Sequence, residues 1–172
     1  MGEFTHIDDQ GRVRMVDVSA KAPSHRTAVV QGRIRMQRST FKLIRDRKMK
    51  KGNVLETARI AGIMAAKRTW ELIPMCHPLN ISYAAVDFFP EETLSAIRIE
   101  ATVRTVDQTG VEMEALSAVS TAALTIYDMC KSHDRAMVIS DIGLLTKSGG
   151  KSGTFQRRDP IEGESKTGSA EE

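Results

Sequence analysis

The chain has 172 residues, 41% of them hydrophobic, which is enough apolar material for one core in one domain. No apolar run approaches membrane-spanning length, the start lacks the basic-then-apolar order of a secretory signal, and Cys76 and Cys130 are too few for a disulfide framework, so a soluble cytoplasmic protein is expected. The formal charge is +3, but residues 1–153 hold 22 basic against 17 acidic side chains; that mildly basic body suits an anionic ligand such as a nucleotide phosphate, while 5% aromatic residues argue against nucleic acid.

Residues 5–24 are polar, with Gly11, Pro23 and little periodicity; Val13, Met15, Val16 and Val18 give at most a short extended arm. Lys21 and Arg26 follow as lone cations, and His6 and His25 read as surface histidines. From Thr27 the pattern alternates, Val30, Ile34 and Met36 against Gln31, Arg33 and Arg35, as in a half-buried strand. Ser39 then precedes Phe41, Leu43 and Ile44, a short helix with a serine cap. A basic run over residues 45–51 ends at Gly52; Lys51 is singled out because Asn53 and Glu56 have capping-box spacing, which puts the lysine at a helix N-terminus where anions are favoured.

The helix expected over residues 53–70 carries Ala58, Ala61, Gly62, Ala65 and Ala66, small residues that let another backbone approach. Pro74 and Pro78 bracket Met75, Cys76 and His77 and hold them extended. A single histidine in apolar company is ordinarily structural, so this segment decides nothing alone. Residues 81–89 and 94–106 read as two strands joined by a turn at Pro90, Glu91, Glu92 and Thr93. Residues 110–131 then read as one long helix, nearly all small or apolar except for a polar stripe of Glu114, Ser117, Thr121, Thr125 and Asp128. Composition favours a solvent-facing stripe over the wall of a polar cavity. At its end Asp128 and Lys131 are neighbours, either a surface ion pair or a tuned acid/base pair. A last strand over residues 137–145 leads to Lys147 and Lys151 in a Gly/Ser segment, and from Thr154 the composition is that of a loose tail. The order strand, helix, helix, strand, strand, helix, strand specifies an α+β, ferredoxin-like sandwich: a four-stranded antiparallel sheet with helices on one face.

Three chemistries fit these residues to different degrees. A Walker motif fails because its first glycine would be Leu145. The Gly/Ser segment is still able to fold over phosphates or to stay solvated. A zinc set of Cys130, His133, Cys76 and His77 fails on geometry, since adjacent residues of an extended segment point to opposite sides; no metal is expected. An enzyme acting on a phosphorylated small molecule would use Asp128 beside Lys131, separate anion-binding lysines, and His77 with Glu112 or Glu114 to recognise a polar heterocycle. A non-catalytic module holding a nucleotide is the alternative. An RNA-binding sheet is disfavoured, because the strands lack paired surface aromatics.

Taken together, the segments MVDVSAK (15–21), GNVLETARIAGIMAAKRTWELIPMCHPL (52–79), TGVEMEALSAVSTAALTIYDMCK (109–131) and KSGGKSG (147–153) resemble the cyclic pyranopterin monophosphate synthase family of molybdenum cofactor biosynthesis. The resemblance covers nearly all of residues 4–155, so residues 1–155 are taken as one catalytic domain and 156–172 as a flexible tail. It implies the same ferredoxin-like sandwich, a homohexamer built as a trimer of dimers, and an active site at a subunit interface. It also implies conversion of 3′,8-cyclo-7,8-dihydroguanosine 5′-triphosphate to cyclic pyranopterin monophosphate and pyrophosphate, with no cofactor. By the same resemblance Asp128, Lys131 and Lys51 are catalytic, Met75, Cys76, His77, Glu112, Met113 and Glu114 contact the substrate, and Lys21, Arg26, Lys147 and Lys151 hold the triphosphate. Ser132 and His133 depart from the usual residues after the DMCK motif and touch none of these roles.

Overall fold

Alternating side chains build the sheet, and small residues let the helices settle on it. The structure, a computed structural model, describes residues 6–50, 52–151 and 153–158. In chain order they form β1 (Ser24–Arg35), α1 (Arg38–Arg45), α2 (Val54–Lys67), α3 (Thr69–Leu72), β2 (Ile81–Glu91), β3 (Ala96–Asp107), α4 (Glu112–Cys130), β4 (Val138–Ser148) and β5 (Phe155–Gln156). The strands lie in the order β2-β3-β1-β4-β5, every neighbouring pair antiparallel. The first four make the ferredoxin-like sheet that the element order specifies. The fifth strand is new: Phe155 and Gln156 pair with Lys147 and Thr146. Sequence pattern missed it because a strand of two residues, both exposed, is too short to show alternation.

Helices cover one face. Val30 and Ile34 of β1, Ile97, Ile99, Ala101 and Val103 of β3 and Val86 of β2 are fully or almost fully buried against Ala115, Ala118, Val119, Ala122 and Ile126 of α4 and Ala58 and Ala66 of α2. The small-residue face of α2 meets α4 directly: a Cβ on Gly62 would stand 2.8 Å from the Ala118 carbonyl oxygen and 3.1 Å from Val86. Gly32 of β1 does the same for the sheet, since a Cβ there would lie 2.6 Å from Val119. Helix α2 links β1 to β2, and α4 links β3 to β4, which run the opposite way, so the two helices are antiparallel. The start of α2 therefore sits at the same end of the molecule as the finish of α4.

Three local expectations change. Helix α1 starts at Arg38 after Gln37 with no side-chain cap from Ser39. Instead the buried Asp134 carboxylate accepts the Gln37 N–H at 2.7 Å and the Ala136 N–H at 2.9 Å. Asn53 does cap α2, accepting from the Glu56 N–H at 3.3 Å. The single helix expected to residue 70 is broken at Arg68, whose N–H donates to the Ala65 carbonyl at 3.0 Å, and the Thr69 hydroxyl donates to the Ala65 and Ala66 carbonyls. Arg33, assigned to the solvent side of β1, is only 1% exposed. On the face away from the helices it forms a two-pronged pair with Glu91 at 2.9 and 3.2 Å and lies 3.7 Å from Asp141, which satisfies a charge that burial would otherwise penalise heavily.

The Gly62 contact gives a direct stability test. Gly62→Val should lower unfolding free energy by about 3 kcal/mol, because overpacking against a main-chain carbonyl outweighs any helix-propensity gain. Urea denaturation should show a lower midpoint with an unchanged slope.

Candidate active site

Two adjoining cavities, each of about 330 Å³, open at the N-terminal end of α4 and share Lys21, Thr109, Gly110 and Glu112. Met75, Cys76, His77 and Leu79, from the proline-stiffened link between α3 and β2, form one side of the first cavity, and Met113 and Glu114, from the first turn of α4, form another. The second cavity is cationic, with Lys21, Arg26, Lys147 and Lys151 around the backbone of residues 108–111. Strand register explains the convergence: Arg26 starts β1, Lys147 ends β4, and Lys147 pairs with Ala28 two residues along from Arg26. Residues far apart in sequence thus line one two-lobed cavity, one lobe mixing apolar and polar side chains and the other rich in cations.

Glu112 stands at the junction. Its Oε1 is 3.5 Å from Lys147 Nζ, and its carboxylate folds back over Gly110, where any Cβ would overlap it. Arg26 donates from Nε to the Asp107 carbonyl at 3.3 Å and from Nη2 to the Gln108 carbonyl at 3.2 Å, which ties β1 to the approach of α4. Glu114 is 3% exposed; burial pushes its carboxyl up to about 7, and the nearby Glu112 charge adds to the rise. Burial, followed by the Glu114 charge, likewise raises the Cys76 thiol, so this cysteine remains a thiol and is a poor nucleophile.

Two further expected site residues, Asp128 and Lys131, are not at this site. Asp128 and Lys131 pair at 2.7 Å, with side chains 69% and 53% exposed, at the opposite end of α4. Sixteen residues separate Glu112 from Asp128, about 24 Å along an α-helix. Within one chain the pair therefore cannot touch a ligand in the two cavities. The hydrogen bond and charge of Asp128 raise the Lys131 pKa, so the lysine holds its proton more firmly than a lysine in water. Lys51 lies outside the described residues. Cys130, the first member of the CxxH spacing, is buried in the core, and among the described residues no group of three or more His, Cys, Asp or Glu is arranged to hold a metal ion.

The arm preceding β1 supplies residues that sequence reasoning passed over. Val16, Val18 and His6 line the first cavity. A turn doubles the arm back: Ile7 pairs with Val13, while Asp8 Oδ1 accepts the Gln10 and Arg12 N–H groups at 2.9 Å. The alternation of Val16 and Val18 around Asp17 is the one trace of this in the sequence. His6, read as a surface histidine, is exposed and also forms part of the cavity wall.

Glu114 gives a measurable signature. Carbon-13 NMR should place its carboxyl midpoint near 7, and Glu112→Gln should lower it. A folded pKa above the usual 4.5 means stability that is fully present below that value and lost as pH rises through about 7. Glu114→Gln should therefore be more stable relative to the unsubstituted protein at pH 8 than at pH 5.

The profile of the MoaC family matches residues 15–150. The chain is also similar to proteins named cyclic pyranopterin monophosphate synthase. It is 63% identical to that of Desulforapulum autotrophicum over 155 residues, covering 90% of this chain and 95% of that protein. With that of Desulfatibacillum aliphaticivorans it shares 62% identity over 155 residues, 90% of this chain and 98% of the other. With that of Heliobacterium modesticaldum the identity is 55% over 159 residues, 92% of this chain and all of the other.

Proposed function

The chain belongs to the MoaC family, and from that premise we propose that it converts 3′,8-cyclo-7,8-dihydroguanosine 5′-triphosphate into cyclic pyranopterin monophosphate, releasing pyrophosphate, in molybdenum cofactor biosynthesis. Full-length relatives that carry the synthase name support the activity. The two-lobed cavity supports the substrate class. Its basic lobe matches a triphosphate, whose charge must be neutralised for pyrophosphate to leave as the cyclic phosphate closes. Its other lobe places His77 and Glu114 beside Met75, Met113 and Leu79, polar groups in an apolar slot suited to a heterocycle.

The observation that carries the reading is the separation along α4. Proton transfers during ring rearrangement need an acid and a base close to the ring. Asp128 and Lys131 are the acid/base pair of this reading, and about 24 Å of helix separates them from the cavities of their own chain. In this reading a second copy delivers them. We read the site as composite, in a homohexamer built as a trimer of dimers, with the pair of one copy closing the cavities of its neighbour and with Lys51 as the third catalytic group. A lysine held protonated by its aspartate is suited to give a proton, and the aspartate to take one.

Asp128→Asn or Lys131→Ala should lower pyrophosphate release by about 10²–10⁴-fold while the fold is retained. Near-normal release by either variant would sink the assignment, and tight substrate binding without product in the unsubstituted protein would favour a non-catalytic binder. Mixing the Asp128→Asn protein with a His77→Ala protein, after dissociation and reassembly, should restore about a quarter of normal activity, because random pairing regenerates that share of intact composite sites. Failure of the mixture to exceed either parent would contradict a shared site.

A further inference from the structure

We infer that Arg157, outside both cavities, is a positioning residue for the basic lobe: it fastens the return leg of the β4–β5 hairpin and so sets the place of Lys151. The inference rests on the basic lobe being the triphosphate site.

Lys147 and Lys151 are held by different means. Lys147 lies within β4, paired with Ala28 on one side and Phe155 on the other, so the sheet fixes its backbone. Lys151 rides on the hairpin tip, where Gly149, Gly150 and Gly153 all have positive φ, at 96°, 74° and 64°. Glycine is the most permissive residue, and a tip with three of them has little stiffness of its own. Three features restrain it, the first being the Gly153 N–H, which donates to the Gly150 carbonyl at 3.1 Å. Gly149 and Gly150 lie so close to the His25 carbonyl and the Arg26 guanidinium that a Cβ on either would overlap them, so the tip rests on β1. The return leg is then tied to β4 by the short β5 ladder and by Arg157, which adds a side-chain bond to the ladder bond that its own main chain makes. Its main-chain N–H donates to the Leu145 carbonyl and its Nε to the Leu144 carbonyl, both at 2.8 Å. One residue thus engages two consecutive carbonyls of β4 next to a two-residue strand. A two-residue ladder is marginal without such additions.

A fixed tip spares the ligand the cost of ordering it, which is the usual source of affinity from preorganisation. Loosening the tip should weaken phosphate binding without slowing the chemistry, because the phosphate contacts serve bound substrate and transition state alike.

Arg157→Pro removes both hydrogen-bond donors and the charge; Arg157→Ala removes the charge and one donor; Arg158→Ala removes a neighbouring charge alone. Calorimetry with inorganic tripolyphosphate should show about a tenfold weaker Kd for Arg157→Pro, an intermediate loss for Arg157→Ala and a near-normal value for Arg158→Ala. With the cyclised guanosine triphosphate, Arg157→Pro should raise KM by a similar factor and leave kcat unchanged. Normal binding by Arg157→Pro, an equal loss in Arg158→Ala, or a fall in kcat would overturn the inference. Lys147→Ala and Lys151→Ala separate the two levels. If neither weakens tripolyphosphate binding, the basic lobe is not a triphosphate site and both readings fall. If both weaken it while Arg157→Pro does not, positioning alone is wrong.

Discussion

The constraint on which the rest depends is the stiffness of α4. Its nineteen residues are clamped along their length, with Val119 over Gly32 of the sheet, the Ala118 carbonyl against Gly62 of α2, and Ala115, Ala122 and Ile126 fully buried. A helix packed this closely cannot bend to bring its ends together, because interiors at crystal-like density have no slack to absorb the movement. Whatever chemistry lies at one end is therefore held at a fixed distance from whatever lies at the other. Glu112 and Glu114 occupy the first turn and Asp128 the last, so one rigid element carries two separate groups of acidic side chains.

At the near end, charge and burial share the work. The cations come from three directions, Lys21 ahead of β1, Arg26 at its start, and Lys147 and Lys151 at the end of β4 and beyond, while Glu112 offsets part of their mutual repulsion. Glu114, one residue past Met113, is withdrawn from water and titrates near neutrality, so it can serve as donor or acceptor toward a polar ring. At the far end the situation reverses: Asp128 and Lys131 are exposed, and each stabilises the charge of the other. An exposed ion pair of this kind adds little to stability, because solvent screens both charges.

Much of this was legible in the residues. Alternation gave β1 and the β2–β3 hairpin, helical periodicity gave α4 to within two residues, and the Asn53 cap and the small-residue contact of α2 with α4 lie where spacing placed them. The cavity-lining segments are named by the family resemblance rather than by spacing, and the stretch that Pro74 and Pro78 are expected to hold extended begins with a turn, in which the Cys76 N–H donates to the Ile73 carbonyl at 3.0 Å. What stayed hidden depends on contacts between distant segments. Arg33 alternates as a solvent-facing residue but is buried because Glu91 and Asp141 arrive from β2 and β4. Strand β5 carries no apolar pattern, since its two residues are both exposed and too few to alternate. The arm could not be placed because its wall-forming residues, His6, Val16 and Val18, depend on a turn built by Asp8. Nor could spacing tell whether Asp128 and Lys131 were a surface pair or a catalytic one, because both readings place a carboxylate and an ammonium three residues apart on a helix.

The most direct measurement is a crystal structure of the Lys131→Ala protein with the cyclised guanosine triphosphate bound. The triphosphate should lie among Lys21, Arg26, Lys147 and Lys151, the ring against His77 and Glu114, and the Asp128 carboxylate of a second copy within about 3–4 Å of the ring. A ligand held wholly by one chain, with the Asp128 of every copy more than about 10 Å away, would contradict the account, since no proton could then pass between the pair and the substrate.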